Sequence, residues 1–336
     1  MLLVGDIGGT KTDLAVINTE RGPRDRIAEQ RFASRDYADL ETIAREYLSK
    51  VDVPVTHACF AVAGPVVGGR AQLTNLPWEV DAKALRSSLG LEHVSVLNDV
   101  HAMASAIPHL AASDVLTLQE GDAVPRGTIA LIAPGTGLGQ AFLTWDGTRY
   151  RSHASEGSHG DFAPTNAQQA ALLKFLQRRH ARVSYERVCA GRSIPDLYDF
   201  LSEEGSIPES PFVRTQLSSA VDRTPPIMAA AFANPEPDRL SLAAVNLFSE
   251  ILGAQAGNFV LSVFATGGLY VAGGIPQRIL PNASGQGRLF LSTFRTKGRL
   301  SPLLERLPIY VIPKPVGLLG ATVHGLKATR HRGLPG

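Results

Sequence analysis

Ile129-Ala130-Leu131-Ile132-Ala133-Pro134-Gly135-Thr136-Gly137-Leu138-Gly139-Gln140-Ala141-Phe142-Leu143-Thr144-Trp145 reads as a buried strand, a glycine-rich turn and a returning strand. The chain opens in the same way. Leu2-Leu3-Val4-Gly5-Asp6 is an apolar strand, Ile7-Gly8-Gly9-Thr10-Lys11-Thr12 a tight connection, and Asp13-Leu14-Ala15-Val16-Ile17 the neighbouring strand. Two such hairpins predict a duplicated α/β architecture in which each half turns backbone N–H groups toward a shared cleft. Adjacent glycines permit positive φ and carry no side chain to hold a phosphate away from the backbone. The first turn is not a Walker A loop, since Thr10 occupies the position of that motif's second glycine and no helix follows directly. The Gly-x-Gly-x-Gly spacing of the second turn also departs from the dinucleotide fingerprint.

Between the hairpins, Ser95-Val96-Leu97-Asn98-Asp99-Val100-His101 joins two kinds of pattern. His93 to Leu97 alternates like a buried strand, and Val100 to Ile107 is free of Gly and Pro and rich in helix formers. Asp99 is expected as the helix N-cap at the carboxyl end of a strand, where open α/β sheets place their ligands. Taken alone, an aspartate there is more often only a cap. Asp36 and Asp39 precede a helical run with Leu40, Ile43, Ala44, Tyr47 and Leu48 on one face, and Asp81 caps a helix from Ala82 to Leu89. Leu73-Thr74-Asn75-Leu76-Pro77-Trp78 suits a binding wall or a surface turn.

Beyond the second hairpin, His153 to Pro164 is a loop dense in groups that bind hydroxyls. Its Glu156-x-x-His159 spacing also occurs in metal sites on helices, but Gly157, Gly160 and Pro164 argue against a helix. Ala167 to Arg179 reads as a helix, with Glu186 further on as surface charge or a second hydroxyl acceptor. Residues 202–226, with Pro208, Pro211, Pro225 and Pro226, read as surface connections. Leu240 to Phe264 is a long apolar helix suited to a core or to a homodimer surface. A strand from Gly268 ends at Gly273-Gly274, and Gly317 opens a C-terminal helix whose small residues permit close packing. The basic end from Lys327 to Arg332 is expected to fray, and the Asn282-Ala283-Ser284 sequon is read as accidental.

The 336 residues suffice for two domains with full cores. With 33 Lys and Arg against 31 Asp and Glu, no strong field favours nucleic acid or an anionic membrane. Two cysteines exclude a disulfide framework and a four-cysteine zinc cluster, and they fit a reducing cytoplasmic compartment. The N-terminus carries no basic n-region, and the longest apolar segment is broken by Gly267, Gly268, Gly273 and Gly274, so neither a signal peptide nor a membrane span is expected.

In order, these motifs resemble bacterial glucokinases, the hexokinase-like sugar kinases of the actin-like ATPase superfamily. The likeness runs through Gly5-Asp6-Ile7-Gly8-Gly9-Thr10, Thr74-Asn75 with Trp78, Asn98-Asp99, Pro134 to Gly139, Ser155 to His159 with Asp161 to Pro164, Ser184 to Val188, Val271 to Ile275 and Gly317 to Gly320. It implies an actin-like (ribonuclease H-like) α/β fold with a duplicated mixed sheet and a central cleft. Residues 1–108 with 313–332 would form the small domain and 109–312 the large one, with ATP and sugar between them. Asp99 would be the catalytic base on the sugar 6-hydroxyl. Thr74, Asn75, Asn98, Glu156, His159 and Glu186 would bind the sugar. Asp6, Gly8, Gly9, Thr10, Lys11, Gly135, Thr136, Gly137, Gly273 and Gly274 would serve ATP, with Asp6 an outer-shell partner of Mg²⁺. Lys11 departs from the asparagine of the best-known branch. The cysteine-rich motif of the related repressor and kinase group is missing, since only Cys189 lies downstream, so no structural zinc is expected. The alternatives are a kinase for fructose, mannose or an N-acetylhexosamine, a polyphosphate donor, or a non-catalytic sugar sensor. A sensor would need a DNA-binding extension that the near-neutral chain does not carry.

Overall fold

The computed structural model describes residues 1–73, 75–281 and 285–330. Thr74, the Asn282-Ala283-Ser284 sequon, and His331 and Arg332 of the basic end lie outside the described residues. The chain forms two compact units, one made of Met1–Ala111, Asp146–Ala154 and the chain from Lys314 on, the other of Ala112–Trp145 and Ser155–Pro313.

In the first unit, β1 (Leu2–Ile7), β2 (Lys11–Ile17), β3 (Arg26–Ala33), β4 (His57–Val62) and β5 (His93–Asn98) form one sheet in the order β3-β2-β1-β4-β5. β1 and β2 pair antiparallel across the first glycine turn, with Asp6 opposite Asp13, whereas β4 and β5 continue the sheet in parallel. Parallel neighbours need a crossover, and the helices Leu40–Leu48 and Ala82–Ser88 supply them, the first capped by Asp39 and the second by Asp81 as expected. Alternate residues of β1 go to opposite faces. Leu3 and Ile7 pack with Leu40, Ile43 and Tyr47 on one side. Leu2 and Val4 pack with Leu318, Ala321 and Leu326 of the C-terminal helix Gly317–Arg330 on the other. Lys327, expected to fray, lies within that helix. β5 is not the buried strand its alternation predicts. It is an edge strand with His93 exposed and Ser95 and Val96 only half-buried.

The second unit repeats the pattern. β6 (Leu116–Gln119), β7 (Ile129–Pro134), β8 (Leu138–Trp145), β9 (Gly268–Val271) and β10 (Ile309–Val311) lie in the order β8-β7-β9-β10-β6. The β7–β8 hairpin is antiparallel and β9 and β10 extend it in parallel, as β4 and β5 extend the first hairpin. The helix Arg239–Val263 is a core helix, burying Val245, Phe248, Leu252 and Phe259. Gly253 and Gly257 let it touch the backbone of the helix Gln286–Arg295 at Phe290 and Phe294.

Residues 202–226 are not mere connections. They include the end of helix Ile194–Glu204, the helix Pro211–Ser219 and the start of helix Thr224–Ala231. Pro211, Pro225 and Pro226 sit in first turns, where the missing N–H costs nothing, and Val213 and Leu217 are buried. The loop expected from His153 also begins differently, because Tyr150–Ser155 is a strand.

Candidate active site

The first glycine turn is closed by the Gly8 N–H, which donates to the Lys11 carbonyl at 2.9 Å. Ser34 holds it from the side, its hydroxyl donating to the Gly8 carbonyl at 2.8 Å and its N–H donating to the Thr10 carbonyl at 3.1 Å. A methyl group on Gly9 would stand 2.7 Å from Cβ of Asn75, so two residues predicted for different ligands are neighbours. Thr10, Lys11 and Asn75 are exposed.

At the end of β5 the cap is Asn98 rather than the expected Asp99. Asn98 Oδ1 accepts the N–H groups of Val100 at 2.9 Å and His101 at 3.2 Å, while its Nδ2 donates to the Gly64 carbonyl at 3.0 Å. An Asn-Asp pair offers two residues able to cap, and the helix begins one residue earlier than the pattern predicts. Asp99 is thereby the first helical residue, with its Oδ1 accepting the Val100 N–H at 2.9 Å. Burial pushes the Asp99 carboxyl up to about 6, against the opposing pull of that N–H. Asp6 is also pushed to about 6, first by burial and then by the negative charges of Asp99 and Asp13, with Lys11 and Arg31 pulling the other way. Asp13 is itself held by both nitrogens of a fork from Arg31, at 2.6 and 2.9 Å. Gly317, at the start of the C-terminal helix, must be glycine, because a Cβ there would overlap the Asp6 carboxylate.

In the second unit the Gly135 N–H donates to the Gly137 carbonyl at 2.8 Å, and the Gly191 N–H donates to the Gly135 carbonyl at 2.7 Å. The side of Gly135 that a Cβ would occupy is open, with no heavy atom within 4 Å. Glu186 is turned onto this loop. Its Oε2 accepts the Leu138 N–H at 3.2 Å and lies 2.6 Å from where a Gly137 Cβ would be, and its Oε1 pairs with Arg192. Gly273 has φ +99° and presses on the Pro134 carbonyl, so it shapes the same turn, whereas a Cβ on Gly274 would meet only the Gln277 side chain, at 3.9 Å.

Glu156 and His159 flank a single 3₁₀ turn, 3.7 Å apart and both exposed. The turn is pinned by the Gly157 N–H donating to Ser155 Oγ at 3.1 Å. Arg182 adds a bond to the His159 carbonyl and another to Asp161, each at 2.7 Å. Ser34, Arg182 and Arg192 belong to no motif; only the tertiary fold brings them to the turns. Among the described residues no three His, Cys, Asp or Glu side chains are grouped to hold a metal ion, and no helix is long and apolar enough to cross a membrane. Cys59 and Cys189 are both buried and free.

Two strand–turn–strand hairpins, each extended by parallel strands, with an aspartate opening a helix after the last strand of the first sheet, define the chain as a sugar kinase of the actin-like ATPase fold. The solved glucokinase from an Antarctic psychrotroph superposes with a TM-score of 0.80 at 29% identity, covering 97% of this chain and 98% of that one. A glucokinase from Balamuthia mandrillaris, solved in complex with glucose, shares the fold with a TM-score of 0.77 at 20% identity, over 97% of this chain and 93% of that one. The family profile described as Glucokinase matches residues 3–328. A glucokinase of Nostoc punctiforme is 42% identical over 96% of this chain and 98% of its own length. The chain belongs to the glucokinase family.

Proposed function

We propose that this protein is an ATP-dependent glucokinase, moving the γ-phosphoryl group of ATP to the 6-hydroxyl of glucose and yielding glucose 6-phosphate and ADP. The observation that carries this reading is the family match from residue 3 to 328, a range that includes both glycine turns and the Asn98-Asp99 junction. Phosphoryl transfer asks of a protein mainly positioning, charge stabilisation and an acceptor for the alcohol proton. We assign that acceptor to Asp99, whose carboxyl, raised to about 6, is a stronger base than an exposed aspartate and is still ionised at neutral pH. Asn98 spends its side chain on the cap and on Gly64, so it fixes the backbone that aims Asp99. Its contact with sugar would require one of those bonds to be shared.

Asn75, Glu156, His159 and Glu186 would hold the remaining hydroxyls, the carboxylates as acceptors and Asn as donor and acceptor. Exposure of Glu156 and His159 leaves both able to turn toward a ligand. The turns at Gly8-Gly9 and Gly135-Thr136-Gly137 would receive the polyphosphate through N–H groups other than those of Gly8 and Gly135, which are bonded within the turns themselves. Mg²⁺ prefers oxygen ligands and keeps most of its waters. Asp6 fits a water-mediated contact to it, because its carboxylate lies in the field of two others and a cation relieves that repulsion. Such an ion supplies charge neutralisation for the phosphates.

The test is ADP release by the purified protein with glucose, fructose, mannose and N-acetylhexosamines in separate reactions. Turnover that depends on glucose is the expected result. Turnover only with another sugar would move the specificity, and turnover with polyphosphate but not ATP would move the donor. No turnover with any of them would leave a sugar-binding protein without the activity.

A further inference from the structure

Glu186 poses an electrostatic problem that the roles assigned so far do not solve. Its carboxylate accepts the Leu138 N–H and crowds Gly137, in the loop assigned to the phosphates of ATP. An anion there takes up an N–H on the loop and repels the charge that the loop is meant to attract. Arg192 lies on the other oxygen of the same carboxylate. The residue before it, Gly191, is hydrogen-bonded through its N–H to the Gly135 carbonyl, so the backbone that carries Arg192 is tied to the phosphate loop while its guanidinium holds Glu186. Gly191 is also fixed from its carbonyl side, which accepts the Thr224 hydroxyl at 3.0 Å. The Glu186 side chain is 14% exposed and that of Arg192 is 47% exposed, so the acid is enclosed while the base reaches solvent.

We propose that Arg192 is a positioning residue for ATP: by neutralising Glu186 it keeps the Gly135–Gly137 loop able to receive phosphate while Glu186 remains an acceptor for sugar. This rests on the phosphate role given to that loop. Arginine suits the task because its fixed charge and planar fork hold a carboxylate without competing loss of a proton. The two substrates are then coupled through one ion pair. A sugar hydroxyl that donates to Glu186 weakens its hold on Arg192 and leaves more positive charge for the polyphosphate.

The test uses the full-length enzyme with MgATP and glucose, together with a direct titration of the non-hydrolysable analogue AMPPNP that needs no turnover. Arg192→Gln is expected to raise the KM for ATP and the Kd for AMPPNP about tenfold, the scale of one partly screened unit charge a few ångströms from a phosphate. The KM for glucose is expected to change far less. Arg192→Lys should recover most of the loss, and added salt should shrink it by screening. The Glu186→Gln/Arg192→Gln double variant should bind AMPPNP nearly as well as wild type, since the repelling charge has gone with its partner.

A double variant that binds no better than Arg192→Gln, or an Arg192→Gln variant with unchanged AMPPNP affinity, would overturn the proposal. If Arg192→Gln does not fold, the charge-balanced double variant and Arg192→Lys carry the test by the same titration. A wild-type protein that binds AMPPNP but phosphorylates no sugar would sink the glucokinase reading and leave this comparison intact.

Discussion

Asp99 and Asp6 are carboxyl groups that the fold makes reluctant to ionise, and both sit beside the helix start and glycine turn where the chemistry is assigned. Their folded pKa values, about 6, lie above the unfolded aspartate value of about 4. The folded chain therefore binds more protons than the unfolded chain between those limits. Each group lowers stability as the pH rises through that window, with the full penalty present above pH 6 and none below pH 4. Asp99→Asn is accordingly expected to slow turnover by ~10²–10⁴ while raising the melting temperature at pH 7.5 but not at pH 4. Near-wild-type turnover would remove Asp99 from the mechanism, and a lower melting temperature at both pH values would refute the penalty. In the wild-type enzyme kcat should fall as the pH drops through about 6, because the protonated carboxyl can no longer take the alcohol proton.

At the scale of elements, the placement of the Asp99 helix depends on a backbone contact with the C-terminal helix. A Cβ on Gly320 would overlap the Ala102 carbonyl, so the two helices cross at the distance that only glycine permits. Gly320→Ala should cost about 3 kcal/mol in urea unfolding, the upper range for overpacking a core. Gly135→Ala meets no atom within 4 Å and should cost well under that, raising the KM for ATP instead. Equal destabilisation by the two would contradict this division.

The small residues of Gly317 to Gly320 already announce close packing in the sequence, and both hairpins are legible because apolar strands and paired glycines are local signals. Pro211, Pro225 and Pro226 mislead because a proline that starts a helix and one that breaks it look alike until the residues around it are known to be buried. The choice of Asn98 over Asp99 as cap turns on Gly64, more than thirty positions away, which takes the Asn98 amide. Arg192 gives no signal at all in the sequence, since its meaning lies in Glu186 and Gly135.

At the scale of the whole molecule, the first unit is assembled from distant parts of the chain, and the helix Gly317–Arg330 covers one face of its sheet. A chain stopped after Pro313 would expose Leu2, Val4, Cys59 and Ala61 on that face. Hydrogen exchange should then lose protection throughout β1, β2 and β4 while the helix Arg239–Val263 stays protected by its own unit's core. Uniform loss in both units would show that the second cannot hold its core alone.

The same discontinuity puts an order in time on the newborn chain. At about 5–20 residues per second, the ribosome spends on the order of 10–40 s making the stretch between Ala111 and Lys314, with the amino-terminal sheet already outside and one apolar face bare. The later-made unit can close first, and until the final helix emerges the sheet is a natural client for a chaperone.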